Sequence, residues 1–504
     1  MYIAFVILGF SALRLAVASL TSLGNDEVYY FTYAVQPDWN HFDHPPLVGI
    51  FIRLFTFNLR WTDEIALRMP AIVGAAVNTM LIARCGRMLA DKAAGLLAAI
   101  FYNACIYTSI ISGTFILPDS VQLTFWLLAT QAALNAINTQ STKNLNLNLL
   151  LFGICTGLAV MCKVHGMFLW AGLFGFIVLR KRSWLKNPVL FLACGLTVLI
   201  SSPILFWNLS NDFISWQFHS ERVEMNQGIQ LKSFLANVIG QVLYFNPVLI
   251  FIAVMSVTGI IKQWRNIRSD NILLLLGIGC PIILATAMVS LFRPTLPHWS
   301  GPGYLAIMLL SAIYISHSVS EQPRYINLTK ASVALILVVF VAGTLVILYF
   351  PGALSDKSAP HTGKNDATLD MYHWEDLQAG FEILRDRDIA DRNMSAAAPV
   401  VVYKWFPGAH IYYYAAYPMK MRVRAVGKVH DLHKFQWMNG MSANCPAGSD
   451  AYYITPSNDF TDPQTIFQDH FRRIEKSGTV TQRRSGKIAR RWYVYRLKNA
   501  SRPF

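Results

Sequence analysis

Asn25-Asp26-Glu27-Val28-Tyr29-Tyr30, followed downstream by His41-Phe42-Asp43-His44-Pro45-Pro46, is an island of acids, imidazoles and tyrosines in a strongly apolar chain. It lies between an apolar run at 1–23 and another at 65–84. Each is long enough to cross a hydrocarbon core, which takes about 20 residues. Further runs follow at 93–113, 119–138, 147–162, 164–180, 188–208, 236–261, 271–292, 299–317 and 331–350. Across 504 residues the chain is 54% hydrophobic and only 14% charged, a composition that excludes an ordinary soluble protein. The expected fold is a polytopic α-helical membrane protein of about 11–13 spans. Acids and imidazoles gathered beside a lipid boundary need something to hold them, and a catalytic site does so most simply.

The formal charge of +15 raises a nucleic-acid reading. The basic residues, however, cluster as Arg84/Arg87/Lys92, Lys143, Arg180/Lys181/Arg182/Lys186, Lys262/Arg265/Arg268 and Arg324/Lys330, in alternate loops. That is the pattern of cytoplasmic retention of Lys and Arg, so the partner is the lipid bilayer and no nucleic acid is expected. With the N-terminus cytoplasmic, every one of these clusters falls inside, while loops 24–64 and 209–235 and everything after Phe350 fall outside. Ala16-Val17-Ala18 resembles a signal cleavage site. The preceding stretch nevertheless lacks a basic n-region and carries Arg14 within its core, so it is read as an uncleaved first span. Seven cysteines, mostly inside apolar runs and without CxxC spacing, point to neither disulfides nor a zinc knuckle. Residues 1–350 are thus a transmembrane domain. Residues 351–504 have ordinary charge density and period-two segments at 399–403, 451–454 and 491–495, with helical character at 370–390 and 463–476. They predict an extracytoplasmic α/β domain.

In the first outer loop Asn25 can cap a helix whose first turn carries Asp26 and Glu27, putting Asp26, Tyr29, Tyr30 and Tyr33 on one face. Pro45 and Pro46 suit the opening of an interfacial helix, Leu47 to Phe57. Asp26 and Glu27 supply either a carboxylate for proton abstraction or metal binding, or two acids that satisfy a helix dipole. Asp43 and His44 could ligate a divalent ion, bind phosphate, or be a solvated polar loop; His41 stands beside them. His219 and Arg222 lie one helical turn apart in the second outer loop. Arg293 with Leu296-Pro297-His298-Trp299 closes another, as a phosphate grip or as interfacial anchors. Pro118-Asp119 reads as helix-start chemistry, and Lys163 with His165 as a turn between two short helices, although ionisable groups at membrane depth are functional suspects.

In order and topology these segments resemble the GT-C membrane glycosyltransferases, in the bacterial branch that includes the aminoarabinose transferases of lipid A modification and relatives of the protein O-mannosyltransferases. The resemblance covers most of 1–350. The family's Asp-Glu pair falls on Asp26 and Glu27, and its aromatic-Phe-acid-basic-Pro-Pro motif on His41 to Pro46. Its metal-site acid falls on Asp43, and its phosphate-binding lysine is replaced by His44, which argues against an aminoarabinose transferase. Its metal-site His with Arg three residues later is similar to His219 and Arg222, and its Leu-Pro-aromatic loop to Arg293 and Leu296 to Trp299, with His298 added. Pro118-Asp119, the Gly157-Leu158-Ala159 … Lys163 run and Phe206-Trp207-Asn208 are also family-like.

The resemblance implies a sugar donor linked to polyprenyl phosphate and an envelope acceptor, whether lipid, glycan or protein. Asp26, with Glu27, would act as base toward a hydroxyl acceptor, or orient an anionic one. His44, Arg222, Arg293 and His298 would receive the donor phosphate. Asp43 and His219 would hold a divalent metal if one is used, and Tyr30, His41 and Trp299 would line the substrate cavity. Inversion at the anomeric carbon and a bacterial inner-membrane location follow from the same likeness. Two alternatives stand beside it. A flippase for lipid-linked sugars would place its charges at the midplane and show a repeat. A non-catalytic assembly subunit would leave the outer-loop clusters unexplained.

Overall fold

The computed structural model describes residues 1–224, 228–262, 269–318, 323–352 and 355–504. Arg265 and Arg268 of the expected cytoplasmic clusters lie outside them. By packing, the chain divides into two compact units, 1–17 with 38–340 and 18–37 with 341–504.

The first unit is helical, and every predicted apolar run within the described residues is helix. Among the described residues seven helices are long and apolar enough to cross a membrane, including Glu64–Leu89, Thr142–Cys162, Pro188–Ser210 and Asp270–Ser290. The remaining four runs show why composition overcounts. Lys92–Ala104 has only 13 residues. Pro118–Asn138 carries Gln122, Gln131 and Asn135, and Val164–Arg180 is short. Ala98, Phe101, Tyr102 and Trp126 are nonetheless fully buried, so protein packs against the first two of these helices and relaxes their demand for length and apolarity.

The run at 236–261 was expected as one span. It is two helices, Leu231–Tyr244 and Pro247–Lys262, bent by 99°. Pro247 has no N–H with which to continue the first helix, and Asn246 takes the left-handed conformation at φ 72°. Asn246 satisfies the break itself. Its Nδ2 donates to the carbonyls of Ala104 at 2.9 Å and Ser332 at 3.0 Å, and its side-chain oxygen accepts from Val248 N–H at 3.0 Å.

Contacts between helix ends fix the polarity of the bundle. Arg180 Nε and Lys181 Nζ pair with Asp270 at 2.9 and 3.2 Å, Asn138 donates to Asn271 at 3.0 Å, and Asn187 to Asn146 at 2.7 Å. These contacts join the basic ends of helices that are distant in sequence but neighbours in the bundle. The other ends of those helices carry Asp119, Lys163, Asn208 and the 297–300 segment, so the polar site sits opposite the basic clusters.

The second unit contains a five-stranded mixed sheet in the order β2-β1-β3-β5-β4, with β1 Val400–Val402, β2 Val423–Ala425, β3 Ala451–Pro456, β4 Phe471–Arg484 and β5 Lys487–Ala500. Parallel pairs join β1 to β2 and β3; β3–β5 and β4–β5 are antiparallel. Helix Asp376–Ala390 matches its prediction. The helical reading of 463–476 is corrected: helix Pro463–Phe467 stops after 5 residues and β4 begins at Phe471. Charged residues on its exposed face mask the strand alternation, and fourteen-residue pairing with β5 overrides local helical preference. Ser485 and Gly486, both at positive φ, make the two-residue turn between them.

Candidate active site

Pro118 opens its helix at a position where a missing N–H costs nothing, and Asp119 follows in the first turn. Helix Thr142–Cys162 ends at Lys163, whose main-chain oxygen accepts from Gln122 Nε2 at 2.7 Å. That contact brings the two helix ends together. Lys163 Nζ meets Asp119 Oδ2 at 2.9 Å, with the two side chains only 5% and 4% exposed. Tyr107 donates its hydroxyl to Asp119 Oδ1 at 2.8 Å. His44, His165 and His298 all lie within the electrostatic field of this pair, and Lys163 also reaches His219. Pro118-Asp119 does start a helix and Lys163-His165 does mark a turn. The structure adds that the two meet at the centre of a ring of imidazoles. The available signal was the pair of ionisable groups of opposite sign at the same predicted membrane depth.

The 38–46 loop packs on helix Ile214–Glu221. Phe42 and Phe218 pack tilted at 46° with centroids 4.6 Å apart, Asn40 donates to Ser215 at 3.4 Å, Ser215 to Asn208 at 3.0 Å, and Trp207 Nε1 to Asp38 at 2.9 Å. His219 Nε2 donates to the Asp43 carbonyl at 2.7 Å, and the His44 and His219 rings are 6.0 Å apart. Burial pushes His44 down to about 3; Asp43 and Asp119 oppose the shift, while Lys163 and His219 add to it. Burial likewise lowers His219, against the pull of Asp43. Before an anion arrives burial thus favours the neutral form of both rings. The guanidiniums of Arg222 and Arg293 make no ion pair among the described residues; Arg222 lies 4.2 Å over the Phe218 ring. Trp299 packs against His165 with centroids 6.0 Å apart, and His41 is buried.

Asp43 and His219 meet through a main-chain oxygen. Among the described residues no group of three or more His, Cys, Asp or Glu side chains is gathered to hold a metal.

Behind His219 lies an apolar cavity of about 430 Å³, lined by Val160, Val164, Met167, Ile204 and Leu205, with Asn208, Ser215 and His219 as its polar edge.

Asp26, Glu27 and Tyr30 belong to the second unit, on helix Asn25–Val35. The N-cap is Gly24 rather than Asn25. Glu27 Oε2 accepts from Gly24 N–H at 2.8 Å, and Asn25 Nδ2 donates to Asp370 at 3.0 Å. Glu27 is buried in this capping role, whereas Asp26 is exposed. Tyr29, Tyr30 and Tyr33 form an edge-to-face cluster at 5.4–5.6 Å.

Residues 43–207 match the family described as dolichyl-phosphate-mannose-protein mannosyltransferase. The fold is similar to the crystal structures of ArnT from Cupriavidus metallidurans, in the apo state at TM-score 0.64 and bound to undecaprenyl phosphate at 0.65. Each aligns over 98% of this chain and 98% of its own at 13% identity. A comparison by sequence with curated proteins finds no match. In its spanning helices and its sheet domain the chain thus shares the architecture of these ArnT structures over nearly its whole length, and residues 43–207 carry the family match.

Proposed function

We propose that this protein transfers a glycosyl group from a polyprenyl-phosphate donor to an extracytoplasmic acceptor, a lipid, a glycan or a protein, with inversion at the anomeric carbon. The observation that carries this reading is the convergence of His44, His219 and His298 on the buried Asp119–Lys163 pair, beside an apolar cavity that suits an isoprenoid chain. The bond from the anomeric carbon to the phosphate oxygen breaks, and charge collects on the departing lipid phosphate. His44 and His298 can donate N–H bonds to that charge, and Arg222 and Arg293 can neutralise it. No strong general acid is required, because a phosphate leaves readily.

The acceptor oxygen attacks the opposite face of the sugar, and its proton goes to a base. Asp26 is assigned that role for its exposure and chemistry, which supports a base better than the capping role of Glu27 does. Asp26→Asn is expected to lower transfer to a hydroxyl acceptor by about 10²-fold or more with donor binding unchanged. Unchanged transfer in reconstituted protein would remove Asp26 from the chemistry. The location proposed is the bacterial inner membrane with the N-terminus cytoplasmic and the site outside.

The deciding experiment compares envelope lipids and glycans of cells with and without the gene by mass spectrometry. Purified protein in proteoliposomes is then offered the missing sugar on polyprenyl phosphate. Acceptor-dependent release of free polyprenyl phosphate is expected. Folded protein that neither binds nor cleaves any such donor would overturn the proposal.

A further inference from the structure

Helix Arg324–Tyr349 is the most apolar of the spanning helices, with mean hydropathy 2.9. Its last carbonyls have no partner within the helix and reach the membrane surface, where something polar must meet them. The tip of the β4–β5 hairpin does so. Arg484 Nη1 donates to the Ile347 carbonyl at 3.1 Å, and Ser485 Oγ to the Tyr349 carbonyl at 2.8 Å. The same guanidinium donates to Thr368 Oγ1 at 2.8 Å, forms an ion pair with Asp366, and lies 6.0 Å from the centroid of the Phe350 ring. The turn is thereby held at the depth where the span ends.

Strand alternation turns Arg484 inward and the neighbouring Arg483 outward. Arg483 and Lys487 are both exposed, on either side of the turn. Arg483 Nη1 donates only to the Gly486 carbonyl, at 3.1 Å, and Lys487 Nζ makes no hydrogen bond or ion pair among the described residues. Asp366, the acid beside them, is occupied by Arg484. Leu345 and Tyr349, 50% and 62% exposed on the adjoining turns of the helix, are surfaces for lipid rather than water.

We propose that the turn from Arg483 to Lys487 is a docking point for the headgroups of anionic phospholipids, in the leaflet whose surface helix Arg324–Tyr349 reaches. Two exposed cations at headgroup depth match lipid phosphates that carry net negative charge, and favour them over zwitterionic lipids. The inference is independent of the transfer reaction.

Its test uses the full-length protein with equal amounts of phosphatidylglycerol and phosphatidylcholine, counting retained lipids by native mass spectrometry. The unaltered protein is expected to prefer phosphatidylglycerol, and the Arg483→Gln/Lys487→Gln variant to lose that preference by roughly three- to tenfold. The Arg472→Gln/Arg473→Gln variant, at the far end of the hairpin, should keep it. Millimolar inorganic phosphate should not displace the lipid. An unchanged preference in the first variant, an equal loss in the second, or displacement by phosphate would each overturn the assignment.

Discussion

Two buried ion pairs, one in each unit, are treated oppositely by their surroundings. Arg484–Asp366 in the sheet-containing unit is enclosed mainly by neutral hydrogen-bonding groups. Ile347 and Thr368 oxygens take one arm of the guanidinium, Asp366 takes the other, and Asp366 in turn accepts from Thr368 N–H at 3.1 Å. Asp119–Lys163 in the helical unit has, among the described residues, Tyr107 as a neutral side-chain partner and titratable rings nearby. Burial of an ion pair is therefore not itself a mark of function. The mark is a pair whose environment leaves titratable rings near it, beside a cavity.

The sharpest way to break this contrast is to dismantle each pair. Asp119→Asn leaves Lys163 buried without its counter-ion, and is expected to cost about 3–5 kcal/mol of stability and at least 10²-fold in donor turnover. The Asp119→Asn/Lys163→Met double variant should recover most of the stability, read by thermal unfolding in detergent, without recovering turnover. Asp366→Asn/Arg484→Met should show the reverse, with stability changed and turnover per folded molecule intact. Equal behaviour of the two doubles would make Asp119–Lys163 a structural pair.

A smaller effect is expected at the rim. Burial favours the neutral form of His44, so His44→Lys introduces a cation in its place. Donor phosphate binding should tighten by about tenfold at pH 7–8. Weaker binding at every pH would show that the site is shaped for an imidazole and not short of charge.

The smallest effect is in pH-dependent stability. His410, stacked on Trp374 at 4.1 Å, is pushed down to about 3 by burial, with Arg490 adding to the shift. Between its ordinary value near 6.5 and about 3 the unfolded chain binds the proton and the folded chain does not, so acidification destabilises. Asp370 acts with the opposite sign. Burial raises it to about 6, so its contribution is present at low pH and fades as pH rises through about 6. His410→Asn is expected to reduce the acid-induced loss by about 1 kcal/mol at pH 5.5, measured as the pH slope of the unfolding midpoint. An unchanged slope would place the acid sensitivity in the imidazoles around Asp119–Lys163.

Legibility followed the range of the interactions. Apolar runs mark helices because a span must satisfy its backbone internally, so each run was visible without its neighbours. The 99° break was less so. Pro247 was visible, but the two carbonyls that make the break tolerable, Ala104 and Ser332, are remote in sequence. β4 was hidden for the same reason, since its alternation becomes plain only against β5. In the site, residues clustered along the chain, such as His41 to His44 and His219 with Arg222, stood out as candidates. Asp119 and Lys163 did not, because each has an adequate local explanation and their meaning arises from being 2.9 Å apart.

The sequence by itself determined the solvent of this protein, the alternation of its basic loops and the helical character of its apolar runs, because hydrophobicity and charge act residue by residue. Only the tertiary structure decided which ionisable groups share a low-dielectric pocket, which arginines are consumed by carbonyls, and that burial favours the neutral form of His44. Those properties depend on distance and desolvation, which no single segment carries.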